Sequence, residues 1–282
     1  MQIRVRLFAL QRQQLGVREL ALELPAGASI AEAWRALSAA HPVLEPAGAS
    51  MRFARNGTYA ALGEVLGEGD ELALIPPVAG GSTDEPGAAD GSRAAEATGT
   101  GSAPEGPGPR LRRIALGRAP IGDAELNEMR AAVASDADGA VVVFVGRTRE
   151  TPGTPAPGQE VAAARFAGQR VAGLEYEAYE QMALTVLERI GDEIETRFGV
   201  RRLAILHRTG EVVVGEASVA IVVAAAHREA AFEACRYAIE ELKARAPIWK
   251  SERFADGSVW LGQPARDAPR PEGEGAGEGH GP

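Results

Sequence analysis

The stretch Leu74-Ile75-Pro76-Pro77-Val78-Ala79-Gly80-Gly81 divides the chain into a part that presents it and a part suited to receive it. The two prolines restrict the backbone and favour an extended path. Gly80 and Gly81 carry no side chains, so they can enter a channel too narrow for other residues. Taken alone, these eight residues favour an ordinary Pro/Gly boundary before a linker. The rest of the chain decides between the two interpretations.

Residues 1–81 predict a small α+β domain. Ser29 is a good N-cap for the helix that follows it, and Asn56-Gly57 is a typical hairpin turn. The apolar periodicity predicts two strands, a helix and two further strands, at residues 3–7, 20–24, 30–40, 51–55 and 72–75. This order of elements, ending in an exposed Gly-Gly, is that of a ubiquitin-like β-grasp.

Two segments have compositions that cannot form a core. Residues 82–110 consist mainly of small, polar and Pro/Gly residues and lack any large apolar side chain. We expect them to be a disordered linker, because such a segment cannot bury enough surface to offset its ordering entropy. Residues 266–282 are similarly low in complexity, and we expect a disordered tail there.

Residues 111–265 predict a second, larger α/β domain. The predicted helices cover residues 123–134, 182–194 and 229–244, and the predicted strands 139–146, 174–179, 203–207, 219–225 and 248–252. Residues 139–146 are apolar on both faces, which predicts a fully buried strand. In the last helix, the predicted buried stripe is Phe232, Cys235, Ile239 and Leu242. Residues 151–169 predict a Gly/Pro/Ala-rich loop.

Composition restricts the class of protein. The net charge of −9 argues against binding nucleic acid through overall charge. No apolar run reaches the ~20 residues that span a bilayer, and the N-terminus lacks the apolar core of a signal peptide. The single cysteine, Cys235, excludes an internal disulfide and a cysteine-only metal cage, and its place on an apolar stripe predicts an inert core residue. We therefore expect a cytoplasmic protein without a membrane segment.

Lysine is nearly absent. Lysine and arginine total 30, yet only Lys243 and Lys250 are lysines. Solvated surface positions accept either residue, so two lysines seven residues apart indicate sites where arginine does not serve. Lysine is a compact donor that can lose its proton, which suits it to proton transfer. The alternative is that two surface lysines persist by chance.

Cations also follow the predicted strands. Arg147 and Arg149 follow one apolar strand, and His227-Arg228 follow another. If these ends converge with the two lysines, they form a pocket for a phosphate-bearing ligand. Each group also has a structural alternative: the arginines as solvated loop charges, and His227 as a helix cap. His207-Arg208 is better explained by a structural role than by a catalytic one.

The motifs resemble both subunits of molybdopterin synthase. Asp70-Glu71-Leu72 with residues 76–81 is similar to the end of the small subunit, a ubiquitin-like sulfur carrier. Motifs of the large, catalytic subunit are matched, in the same order along the chain, by residues 144–149, 174–176, 207–211, 226–228 and 242–252. The resemblance implies a β-grasp domain fused to an α/β hammerhead domain.

The resemblance also implies an activity: sulfur transfer to cyclic pyranopterin monophosphate, forming the dithiolene of molybdopterin for the molybdenum cofactor. The terminal glycine, Gly81 after Gly80, would carry the sulfur as a thiocarboxylate, made after adenylation by a separate ATP-dependent activating enzyme. No cofactor is implied beyond this sulfur. Lys243 and Lys250 would be the catalytic residues. The residues implied to bind the substrate are Arg147, Arg149, His227, Arg228 and Glu252. The family's large subunits dimerise, which implies a homodimer through the C-terminal domain.

Two departures from the family stand out. Gly81 lies inside the chain, whereas thiocarboxylate chemistry needs a free carboxylate, so we expect cleavage after Gly81. Glu150 stands where an amide or Asp is expected, before a long loop.

Two other functions remain open: a storage form whose uncleaved carrier occupies its own pocket, and a ubiquitin-like modifier attached to a binding module. The two lysines favour the enzyme, since a scaffold has no need of them.

Overall fold

The computed structural model describes residues 1–45, 51–76, 109–152 and 160–261. Gly80, Gly81, almost all of the predicted linker and the predicted tail lie outside these residues. The N-terminal part contains β1 (Gln2–Leu7), α1 (Ala9–Leu15), β2 (Glu19–Glu23), α2 (Ile30–Ala40), β3 (Arg52–Arg55), β4 (Thr58–Ala60) and β5 (Glu71–Ile75). Its five-stranded sheet has the order β2-β1-β5-β3-β4, with β1 and β5 parallel at the centre.

The N-terminal domain is the predicted β-grasp-like fold. The alternating residues Ile3, Val5 and Leu7 of β1 point into the core, where they meet the apolar side of α2. Ser29 and Glu32 form a capping box at the start of α2, as the local sequence predicts. Asn56 and Gly57, both with positive φ, make the hairpin between β3 and β4.

Helix α1 was not predicted from sequence. Its seven residues, Ala9–Leu15, have no apolar stripe, and the buried residue on it is Gln11. Phe8, just before α1, breaks the alternation of β1, because Leu7 and Phe8 are adjacent apolar residues and only Leu7 joins the domain's own core. This broken alternation indicates an apolar contact outside the small domain.

The C-terminal domain is the predicted mixed α/β unit, built on two four-stranded sheets. Its elements are β6 (Leu111–Gly117), α3 (Asp123–Val133), β7 (Ala140–Arg147), α4 (Glu160–Ala164), β8 (Val171–Ala178), α5 (Glu180–Phe198), β9 (Arg202–Arg208), β10 (Gly210–Val213), β11 (Ala217–Ala225), α6 (Arg228–Arg245), β12 (Ile248–Phe254) and β13 (Val259–Leu261). The sheet orders are β6-β9-β11-β7 and β10-β8-β12-β13. Strands β6, β10 and β13 and helix α4 were not predicted.

The predicted full burial of residues 139–146 is wrong. Strand β7 lies at the edge of its sheet, and Val141 and Val143 are about two-fifths exposed (38% and 41%). The fully buried strand is β11, one of the two inner strands, whose nine residues are all buried. Helices α5 and α6 pack on one face of this sheet, and α3 packs on the other, mainly over β6, β9 and β11. An apolar run shows that a strand can be buried, but the position of the helices decides which strand is.

The predicted stripe of α6 is wrong at one position. Phe232 is 61% exposed, whereas Cys235 and Leu242 are buried as predicted and Ile239 is partly buried. The remaining buried positions are alanines: Ala231, Ala234 and Ala238. Small residues let a helix lie close to the sheet beneath it, and an assignment based on the largest apolar side chains misses such a face.

Among the described residues, no helix is both long enough and apolar enough to cross a membrane.

The capping box gives a test of the small domain. Ser29→Ala should lower its free energy of unfolding by about 1 kcal/mol, because the Ser29 side chain accepts a hydrogen bond from the Glu32 amide. Ser38→Ala is the matched control on the same helix, since the Ser38 hydroxyl has no hydrogen-bond partner among the described residues. Urea denaturation followed by Trp34 fluorescence measures both. Equal destabilisation by the two substitutions would contradict this role of the cap.

Candidate active site

The two domains are docked through one aromatic side chain. Phe8 of the small domain lies between Tyr179 and Trp249 of the C-terminal domain, with ring centroids 5.2 and 4.9 Å away and ring planes tilted by 29° and 24°. Ala54, Ala73, Ile75 and Met182 complete this buried cluster. Each such aromatic pair contributes about 0.5–1.5 kcal/mol beyond the area that it buries. Phe8 is therefore the central apolar contact between the domains.

Charged and polar groups surround this contact. The Glu177 carboxylate accepts hydrogen bonds from the Ala9 amide (2.9 Å) and the Arg12 guanidinium (2.8 Å). Ala9 has a φ of 44°, a left-handed conformation that costs a non-glycine residue about 1–2 kcal/mol. The docking contacts offset this strain.

Tyr179 adds a second polar contact between the domains. Its hydroxyl donates to Glu71 at 2.5 Å. Burial, and then the hydrogen bond to Glu71, raise the pKa of Tyr179 to about 12. The phenol therefore stays protonated, and remains a donor, throughout the physiological pH range.

The end of the small domain meets the strand of the predicted catalytic lysine. The Trp249 indole N–H donates to the Pro76 carbonyl at 2.9 Å, in a buried hydrogen bond. Gly81 lies five residues beyond Pro76, and five extended residues span at most about 18 Å. Lys250 directly follows Trp249 on β12. The Pro76 carbonyl thus lies beside the strand of Lys250, at a distance from Gly81 that cannot exceed about 18 Å.

Lys250 has a buried partner. Its ammonium lies 2.7 Å from the Glu252 carboxylate, and the side chains are 31% and 3% exposed. Residues two apart on a strand share a face, so Lys250 and Glu252 lie together while Trp249 points to the opposite face. A buried carboxylate needs a charged partner, so Glu252 fixes the position of the Lys250 ammonium.

Lys243, Arg147 and Arg149 are placed differently. Lys243 lies in the last turn of α6 and is exposed, beside the Ala246 break that leads into β12. The Arg147 guanidinium donates to the Gly215 carbonyl at 2.8 Å, so this residue also holds a loop. Arg149 is exposed just beyond β7. The contacts of these three residues do not assign a ligand to any of them, and their roles stay predictions.

His227 and Arg228 lie at the far end of the sheet from Arg147. Arg228 begins α6, and Lys243 follows 15 residues later, about 22 Å along the helix axis. Strand pairing gives the same result, since Arg147 lies opposite Ala217 whereas His227 follows the other end of β11. The expected convergence therefore does not occur within one chain. The alternative role of His227 is also absent, because its side chain makes no capping hydrogen bond.

The remaining candidates are parts of the fold. Burial lowers the pKa of His207 to about 4, and its ring meets Tyr176 edge-on at 5.0 Å. Arg208 is buried and pairs with Glu216 at 2.6 Å. Glu150, the departure from the family pattern, pairs with Arg170. Within the described residues, no group of three or more His, Cys, Asp and Glu could hold a metal ion.

Several contact residues were missed at the sequence level: Phe8, Glu177 and Tyr179. Glu177 and Tyr179 lie in and just after β8, and their alternation with Tyr176 and Ala178 was explained by a strand alone. The available signal was Phe8, an apolar residue that its own domain does not bury. Sequence could show that Phe8 needs a partner, but not which residues provide it.

Comparison with known proteins accounts for both domains. The sequence matches the ThiS family over residues 5–81 and the MoaE protein family over residues 121–245. It is 41% identical over 136 residues to the molybdopterin synthase catalytic subunit of Bacillus subtilis, covering 48% of this chain and 78% of that protein. It is 45% identical over 124 residues to the catalytic subunit of Oryza sativa subsp. indica, covering 44% of this chain and 57% of that protein.

A solved structure is similar as well. The molybdopterin synthase from Staphylococcus aureus aligns with 36% identity and a TM-score of 0.44, covering 52% of this chain and 96% of that chain.

The assignment of Cys235 to the core, outside the candidate active site, can be tested by the reactivity of its thiol. Burial raises the pKa of the Cys235 thiol to about 11. At pH 8 only about one thiol in a thousand would then be ionised, and the group is enclosed, so native protein should resist a chromogenic thiol reagent. Urea-unfolded protein should react with one equivalent and serves as the control. Rapid stoichiometric labelling of native protein would contradict the assignment of Cys235 to the core.

Proposed function

Because the chain belongs to the family of molybdopterin synthase catalytic subunits and carries a ThiS-family domain fused before it, we propose that it is a molybdopterin synthase supplied with its own sulfur carrier. Two sulfur atoms, each delivered by one Gly81 thiocarboxylate, would pass to cyclic pyranopterin monophosphate and form the molybdopterin dithiolene, and hydrolysis after each transfer would leave Gly81 as a carboxylate. The observation that supports the proposal is the hydrogen bond from the Trp249 indole to the Pro76 carbonyl, which holds the end of the described small domain beside β12, the strand that carries Lys250.

The chemistry assigned to the chain is proton transfer and charge stabilisation. When a thiocarboxylate sulfur attacks the substrate, protons must move and negative charge develops on the intermediates. Lys250, held by Glu252, and Lys243, at the end of α6, are the groups proposed for these steps. Sulfur arrives on Gly81 after a separate ATP-dependent enzyme has adenylated its carboxylate, so the proposal requires no resident cofactor.

Substrate binding is proposed to involve two copies of the chain. Arg147 and Arg149 lie at one end of the sheet, and His227 and Arg228 lie at the other, too far away for one small substrate. A homodimer through the C-terminal domain would bring the first end of one copy to the second end of the other. The exposed apolar residues of the edge strand β7 support a subunit contact in this region.

The lysines give the first test. Lys243→Arg and Lys250→Arg should each preserve the fold and lower the rate of precursor conversion by about 10²-fold or more, the usual size of a proton-transfer contribution. The assay is conversion of cyclic pyranopterin monophosphate by chain cut after Gly81, with a thiocarboxylated carrier domain supplied. Arg236→Lys is the matched control, an exposed basic residue of α6 that pairs with Glu240. Near-normal turnover of both lysine variants would remove them from the mechanism.

The shared site gives a second test. Arg228→Ala should weaken precursor binding by about 1.5–3 kcal/mol, the range for a hydrogen bond to a charged group. Mixing the Arg228→Ala and Lys250→Arg proteins should restore about a quarter of wild-type activity, because half of the dimers are mixed and each mixed dimer has one intact site. Activity that never exceeds that of the two variants measured separately would place Arg228 and Lys250 in different sites or in one chain.

Cleavage after Gly81 gives a third test of the proposed function. While Gly81 is joined to Ser82, its carbonyl belongs to an amide and offers no carboxylate to adenylate. Protein from its native host should therefore contain a species ending at Gly81, and intact-mass analysis should show replacement of one oxygen by sulfur on it. Deletion of Gly80 and Gly81 is expected to abolish this species together with activity. If cells that depend on this chain alone make molybdenum cofactor with only full-length chain present, the cleavage proposal is wrong.

A further inference from the structure

The surface that receives the small domain is a compact patch of the C-terminal domain. We call it the docking face and define it by Glu177, Tyr179, Met182 and Trp249. The three apolar members are 2–5% exposed, and their cover includes Phe8, Ala54, Ala73 and Ile75 of the small domain. Two aromatic rings and a methionine around one inserted side chain are typical of the centre of a specific protein interface.

We propose that, in the intact chain, the small domain occupies the docking face of its own chain and thereby excludes the small domains of other chains. The contact is autoinhibitory toward carriers supplied from outside. The inference rests on the proposed function only in treating the docked domain as a sulfur carrier.

The docking face has room for one occupant. Phe8 fills the gap between the Tyr179 and Trp249 rings. The indole of Trp249 has a single N–H, which Pro76 uses. The two oxygens of Glu177 are engaged separately, by Ala9 and by Arg12. A second small domain would need these same atoms, so binding is mutually exclusive.

Connection in one chain favours the resident domain. Residues 77–108 join the two domains, and two parts of one chain that can meet bind at an effective concentration on the order of millimolar. A free small domain at about 10 μM would then compete at a disadvantage of roughly a hundredfold. Cutting the chain removes this advantage, because the released domain returns to its bulk concentration and can exchange.

A crosslink between positions 12 and 177 reports which chain supplies the docked domain. Arg12→Lys keeps the charge beside Glu177 and introduces an amine that a carbodiimide can join to that carboxylate. We would mix equal amounts of ¹⁵N-labelled and unlabelled full-length Arg12→Lys protein, made uncleavable by deleting Gly80 and Gly81. The chains would be incubated, crosslinked and digested. Mass spectrometry of the linked peptide pair then separates links within a chain from links between chains.

The control is a pair of complementary variants. In the same background, Phe8→Ala spoils the small domain of one isotopic form, and Trp249→Ala spoils the docking face of the other. Mixed together, they retain one intact combination, which joins two different chains. Tyr179→Ala replaces Trp249→Ala if the latter does not fold. This mixture also establishes that exchange occurs within the incubation.

The proposal expects links in the parent mixture to be almost entirely of one isotope, and links in the complementary mixture to be mainly mixed. A parent mixture in which about half of the links are mixed, the statistical value for free exchange, would overturn it. Absence of mixed links in the complementary mixture would overturn the docking face itself. None of these readouts depends on sulfur transfer, so their failure is distinguishable from failure of the proposed function.

Discussion

The arrangement of this protein depends on the insertion of Phe8 between Tyr179 and Trp249. This contact fixes where the last strand of the small domain ends, because the same Trp249 that stacks on Phe8 also binds the Pro76 carbonyl. Lys250 directly follows Trp249 on strand β12 of the C-terminal domain. An apolar contact with no chemistry of its own thus holds Pro76, the last residue described in the small domain, beside the strand that carries Lys250.

In the C-terminal domain, regular secondary structure keeps the cations proposed to bind substrate apart. Helix α6 and strand β11 are rigid spacers of nearly equal length, and they separate Arg228 from Lys243 by about 22 Å. No side-chain movement closes such a gap. A substrate site that uses cations from both ends would therefore need two copies of the C-terminal domain, as in the homodimer proposed above.

Local signals were sufficient for much of the fold. Ser29 and Asn56-Gly57 fix a helix start and a hairpin through nearest neighbours, and the apolar periodicity adds the order of strands and helix that is typical of a β-grasp. The errors at Val143 and Phe232 concern burial, which depends on where other elements pack. For the site, the roles assigned to the lysines and to Gly81 stay predictions, and Phe8 was missed because its partners lie about 170 to 240 residues later.

The most direct test of the account is the hydrogen exchange rate of the Trp249 indole N–H in the full-length protein, followed by NMR and assigned by its loss in Trp249→Phe. Because this group is buried and bound to the Pro76 carbonyl, the account predicts slow exchange that becomes fast in Phe8→Ala. Fast exchange in the unaltered protein, at the same rate as in Phe8→Ala, would contradict docking of the carrier on the strand of Lys250.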